Sequence, residues 1–109
     1  MKRIRYTNLA QTDLTNIGRY TLKTWGEIQA ASYLEQIEDC CQRLAQDPGI
    51  GRPWIAARPG LRRMEQGRHV IFYRQFDDGI RVYRVFHRNM LPSLHSFEET
   101  LLDPVDSER

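Results

Sequence analysis

What this 109-residue sequence lacks removes several classes of function. It holds no run of 18 apolar residues, so no segment is expected to cross a bilayer as a helix. The basic start Met1-Lys2-Arg3-Ile4-Arg5-Tyr6 is not followed by the apolar stretch and small-residue cleavage site of a secretory signal, and a cytoplasmic location is expected. The two cysteines, Cys40 and Cys41, are adjacent within a helical pattern, one expected to face inward and one to sit near the boundary. Neighbours in sequence rarely bridge, and there is no CxxC pair for redox work or zinc, which fits a reducing compartment. The three histidines, His69, His87 and His95, have neither the i,i+4 spacing nor the carboxylate or thiolate company of a metal site. No P-loop, dinucleotide fingerprint or nucleophile elbow is present, so neither metal nor cofactor is expected.

What is present is one small domain with a divided charge. Chains of this length form a single core, and 40% apolar residues with eleven aromatics argue against disorder. Sixteen basic residues face fourteen acidic ones, and only two of the sixteen are lysine. By segment the charge is +4 over residues 1–24, −4 over 25–48, +6 over 49–91 and −4 from 92 onward. A guanidinium pairs carboxylates and phosphates bidentately where an ammonium is a point charge, so the Arg-rich second half suggests a surface that meets an anion. The plainer alternative is a set of solvated strand edges.

Periodicity sets the order of elements. Arg3 to Thr7 alternates as a short half-buried strand. Thr7 or Asn8 then caps a helix whose inward face is Ala10, Leu14, Ile17, Thr21 and Trp25, ending at Gly26. A second helix, from Glu27 to Gln46, repeats the pattern through Ala30, Tyr33, Leu34, Ile37, Cys41 and Leu44. So short a link predicts an antiparallel hairpin that needs a further layer against its apolar stripe. Ile50 to Gly60, with two Gly, two Pro and an exposed Trp54, reads as a loop. Strands follow at Leu61–Gln66, Arg68–Phe76 and Ile80–His87, with turns at Gly67 and Asp78-Gly79. In the last strand Ile80, Val82 and Phe86 are expected on one face, with Val85 out of step. The order β-α-α-β-β-β gives an α+β fold, an antiparallel sheet with the hairpin on one face. Residues 1–95 make the domain; 96–109 form an acidic tail, as a short helix around Phe97 to Leu102 or disordered.

Two kinds of chemistry suit these residues. In the first, Arg62, Arg63, Arg74, Arg84 and Arg88 stabilise a phosphorane-like transition state, with Tyr73 or His95 as acid or base in RNA cleavage. Adjacent strand residues such as Arg62 and Arg63 point to opposite faces, however, so they cannot all converge. In the second, the arginines with Tyr73, Tyr83 and Trp54 receive an acidic, amphipathic peptide.

Three runs, Arg19-Tyr20-Thr21-Leu22-Lys23-Thr24-Trp25-Gly26, Asp47-Pro48-Gly49-Ile50-Gly51-Arg52 and Pro59-Gly60-Leu61-Arg62-Arg63-Met64, resemble ParE-type toxins of type II toxin-antitoxin systems, in the RelE/ParE superfamily. The likeness continues through His69-Val70-Ile71-Phe72-Tyr73-Arg74, the Asp78-Gly79-Ile80 turn, Arg84-Val85-Phe86-His87-Arg88-Asn89-Met90 and His95, and covers roughly residues 4 to 95. The resemblance implies the β-α-α-β-β-β fold, inhibition of DNA gyrase, and neutralisation by a ParD-type antitoxin that lays an acidic, amphipathic segment across the toxin. It also implies no catalysis by the chain itself; the missing apolar run argues against a membrane partner, and the weak net charge of +2 against direct sequence-specific nucleic-acid binding. Antitoxin contacts are expected from Arg62, Arg63, Arg74, Tyr73, Trp54 and Arg84, and target contacts from Arg52, Arg88, Met90 and His95. The alternative is a RelE-type ribosome-dependent mRNA endonuclease built on Arg88, His95 and Tyr73. Against it, Val70 and Ile71 stand where RelE-like catalysis needs a basic residue, and Arg62 and Arg63 replace a lysine pair.

Overall fold

A computed structural model describes residues 2–54 and 60–90, with Met90 placed by its backbone alone. The chain runs β1 (Arg3–Tyr6), α1 (Asn8–Trp25), α2 (Glu27–Gln46), a 3-10 turn (Pro48–Ile50), β2 (Arg52–Pro53), β3 (Leu61–Gln66), β4 (His69–Phe76), β5 (Gly79–His87) and a last 3-10 turn (Arg88–Met90). The β-α-α-β-β-β order holds, with β2 added inside the expected loop. His95 and the tail lie outside the described residues.

Thr7 starts the hairpin with one hydroxyl used twice. Its Oγ1 accepts the Ala10 amide at 3.1 Å, the N-cap bond a helix start needs, and donates to the Tyr83 carbonyl at 2.8 Å. The cap therefore fixes α1 to the sheet as well as to itself. Gly26, at φ +92, ends α1 and opens α2. Trp25, expected inward, is instead 58% exposed, and the buried face of α1 stops at Thr21.

The five strands lie in the order β1-β5-β4-β3-β2. The sheet is mixed rather than antiparallel throughout, since β1 pairs parallel with β5, Ile4 opposite Ile80 and Tyr6 opposite Val82. Two helices and three strands separate β1 from β5, so no hairpin constrains their sense. Gly79 is required where they meet: a Cβ there would lie 1.9 Å from the Arg3 carbonyl oxygen. The turn before it is Asp77-Asp78, one residue earlier than expected, and Gly79 already pairs with Phe76.

One irregularity sorts the side chains of β5. Phe72 lies opposite Arg84 and Tyr73 opposite Val82, which leaves Tyr83 as an extra residue in the ladder. The bulge puts Val85 on the face shared by Ile80 and Val82 and sends Phe86 to the other, reversing the expected sharing. Ile71, Tyr73, Ile80, Val82 and Val85 pack against Ile17, Ile37, Leu44 and both cysteines. Cys40 and Cys41 are free and fully buried, neither at a boundary; burial pushes the Cys41 thiol up to about 12.

Candidate functional site

The face of the sheet turned away from the helices holds three of the six residues expected to meet an antitoxin, Arg63, Arg74 and Trp54, with Arg52 beside them. Leu61, Val70 and Phe72 form its buried floor, and Trp54 and Phe86 pack above them. Trp54 lies 4.9 Å from Phe72 between ring centroids. The Arg63 guanidinium stacks 5.7 Å from the Trp54 ring and 5.8 Å from the Phe72 ring, where cation–π attraction and shared apolar contact hold it flat. Glu65 accepts from Arg63 at 3.0 Å and also pairs with Arg52, so one carboxylate bridges β2 and β3. Arg52, Trp54 and Arg63 thus form one patch.

A second row crosses three strands beside it. Arg5 lies opposite Arg81 and Arg81 opposite Arg74, with no residue of opposite sign between them in register. Arg74 and Arg81 flank Phe76 at 5.8 and 4.6 Å from its ring, and Asp78 takes Arg5 at 3.1 Å. Like charges directly opposite one another are destabilising in a sheet, so the row presents a concentrated positive field. Arg5, Arg81 and Phe76 were not among the expected site residues; their alternation was legible, but their register with Arg74 was not.

The remaining candidates are employed elsewhere. Tyr73 is fully buried on the helix side, its hydroxyl donating to the Pro48 carbonyl at 2.7 Å and accepting the Gly51 amide at 2.9 Å. It is a tether for the segment after α2 rather than a surface anchor or an acid/base. Arg62 shares its register with Tyr73 and donates to the Gly51 carbonyl at 2.7 Å. Arg84 forms two hydrogen bonds to Asp13, at 2.8 and 2.9 Å, and Asp13 also accepts the Val85 amide at 2.9 Å. With side chains 17% and 11% exposed, this pair clamps α1 to the half of β5 that lies beyond β1. Arg88 begins the last turn, its amide donating to the Arg68 carbonyl at 2.8 Å. The candidate nuclease groups with described side chains, Tyr73 and Arg88, are therefore not brought together.

Among the described residues, no group of three His, Cys, Asp or Glu side chains is placed to hold a metal ion, and no helix is long and apolar enough to cross a membrane.

A helical hairpin on one face of a sheet edged by its first strand is the fold expected of a ParE-type toxin. The family model for the ParE toxin of the type II toxin-antitoxin system parDE matches residues 4–92, and the chain belongs to that family. Toxin ParE1 of Caulobacter vibrioides is 38% identical over 97 residues, covering 87% of this chain and 98% of the relative. Toxin ParE1 of Mycobacterium tuberculosis is 40% identical over 82 residues, covering 74% and 84%. A solved chromosomal ParDE system from P. aeruginosa shares the fold, with a TM-score of 0.66 at 21% identity over 80% of this chain and 96% of that one. Membership in a toxin-antitoxin family carries with it an antitoxin as partner.

Proposed function

We propose that the chain is a gyrase-directed toxin, held inactive by a ParD-type antitoxin whose acidic, amphipathic segment crosses the outer sheet face and the groove beside the hairpin. The observation that carries the reading is the placement of Tyr73. With its hydroxyl satisfied by two backbone groups inside the protein, it offers no proton to a substrate. Arg62 and Arg84 are likewise committed to acceptors of the chain itself. What the outer face presents is ring surface and guanidinium groups, the pairing that gives an acidic peptide apolar anchors and a fixed register. Gyrase as the target is supported by the family.

The test incubates purified protein with gyrase and supercoiled plasmid, and in parallel with ribosomes translating a defined message. Inhibited supercoiling or trapped cleaved DNA with intact mRNA is the expected result. Message cut at the ribosome with gyrase unaffected would reverse the choice of target.

A further inference from the structure

Two of the three histidines meet at the open end of the β4–β5 ladder, near the Gly26 link between the helices. Tyr33 reaches from α2 to the β3–β4 turn, where its oxygen accepts the Arg68 amide at 3.0 Å. The same oxygen lies 2.5 Å from His69 Nδ1 and 3.4 Å from the Gln66 carbonyl. A phenol has one proton to give, and the shorter contact suits an O–H donor, so His69 Nδ1 accepts and its Nε2 carries the ring proton. The turn is built around this tyrosine: Gly67 has φ +60, and a Cβ there would lie 2.8 Å from the Tyr33 ring. His87, opposite His69 in register, accepts the Asn89 amide at Nδ1 at 3.1 Å, which places its proton on Nε2 as well. The rings stand 5.2 Å apart at 82°.

Both histidines line two adjoining clefts, one shared with Tyr20, Trp25 and Arg68, the other with Asp13, Arg84 and Phe86. Tyr20 and Trp25 are 65% and 58% exposed, large apolar surface left uncovered at the rim. Asp13 is already matched by Arg84, so Arg68 leaves the clefts with surplus positive charge. Burial, and then the neighbouring His87, hold His69 down to about 4, so it stays a neutral N–H donor near pH 7. A metal is disfavoured on chemical grounds, because each Nδ1 already accepts a proton donor and each Nε2 is protonated. Two N–H donors of fixed direction beside uncovered rings call for an anionic acceptor next to an apolar group.

We propose that this cleft is a carboxylate subsite for the antitoxin segment: an Asp or Glu accepts from Nε2–H of His69 and His87 while its apolar neighbour lies on Tyr20 and Trp25. The inference rests on the antitoxin reading above. The acidic character expected of that segment complements Arg68 at the rim.

The test uses two small probes, indole-3-acetate and indole-3-acetamide, which share the ring and differ in the carboxylate. Imidazole nitrogen spectra should show the Nε2–H tautomer for both histidines, and acetate should perturb them. Acetate should also bind about tenfold more tightly than the amide, the worth of a hydrogen bond to a charged group. His87→Phe, verified as folded by circular dichroism, should erase that preference and weaken the complex with a co-expressed ParD-type antitoxin by a similar factor. Equal affinity for the two probes, or an Nδ1–H tautomer in either ring, would overturn the subsite. A carboxylate preference in a protein whose His87→Phe variant holds antitoxin as tightly as the parent would overturn the antitoxin as its occupant. Failure of the unaltered protein to bind the antitoxin would instead overturn the functional reading.

Discussion

The two faces of the sheet draw on the same kinds of residue and use them in opposite ways. Facing the helices, polar atoms are spent inside the chain: Tyr73 on Pro48 and Gly51, and Thr7 on Ala10 and Tyr83. Facing outward, the guanidinium groups of Arg63, Arg74 and Arg81 lie against rings, and like charges stand opposite one another across β1, β5 and β4. One residue's difference in parity decides which role a side chain receives, and Arg62 beside Arg63 is the plainest instance. The inner face is arranged for stability, while the outer keeps a repulsion that a monomer alone has no use for.

The comparison breaks most readily at the inner face. Ile37→Ala, at a side chain 1% exposed between helix and sheet, should cost about 2–5 kcal/mol in urea unfolding; a loss under 1 kcal/mol would mean the two faces contribute alike. Next comes the clamp: Asp13→Ala strands a largely buried Arg84 and the Val85 amide, with an expected cost of about 3 kcal/mol. Hydrogen exchange should then show faster opening of α1 than of α2.

Acid should act through His69, whose ring is held down to about 4 from an unfolded value of 6.5. Above pH 6.5 neither state is protonated; below it the unfolded chain takes up a proton that the folded one refuses, so stability falls until about pH 4 and then levels. The His69 contribution to that fall is on the order of 3 kcal/mol, and His69→Phe should flatten the profile. The smallest effect on folding belongs to the outer face. Arg74→Glu should change stability by less than about 0.5 kcal/mol, since it relieves like-charge crowding. The same change should weaken the antitoxin complex and make its salt dependence shallower, and unchanged affinity would remove Arg74 from the interface.

The parts of the fold legible in the sequence are those that repeat at short range. The 3.6-residue stripes through Ile17 and Ile37 and the alternation around Val70 carry their own period. The parallel pairing of β1 is set by β5, more than 70 residues further on, and leaves no local mark. The Tyr83 bulge is also hidden, because one inserted residue reverses Val85 and Phe86 without altering composition. At the site, Arg63 and Trp54 were legible as types, and Arg63 could be separated from Arg62 by parity alone. Tyr73 could not be told apart from a surface tyrosine, since its partner lies 25 residues away, and the stripe that turned Tyr33 inward did not show that its hydroxyl meets His69, 36 residues on.

The position of β1 bears on the protein's synthesis. Thr7 and its partner Tyr83 are 76 residues apart, and Asp13 and Arg84 are 71 apart. A chain emerging from the ribosome holds its first strand and first helix without a template until β5 has followed. Long-range pairing of this kind closes slowly and late. A product that stops before Arg81 can form the helical hairpin and the β3–β4 hairpin, yet it has neither the full β1–β5 ladder nor the clamp. Assembly of the fold is therefore decided only once β5 has been made.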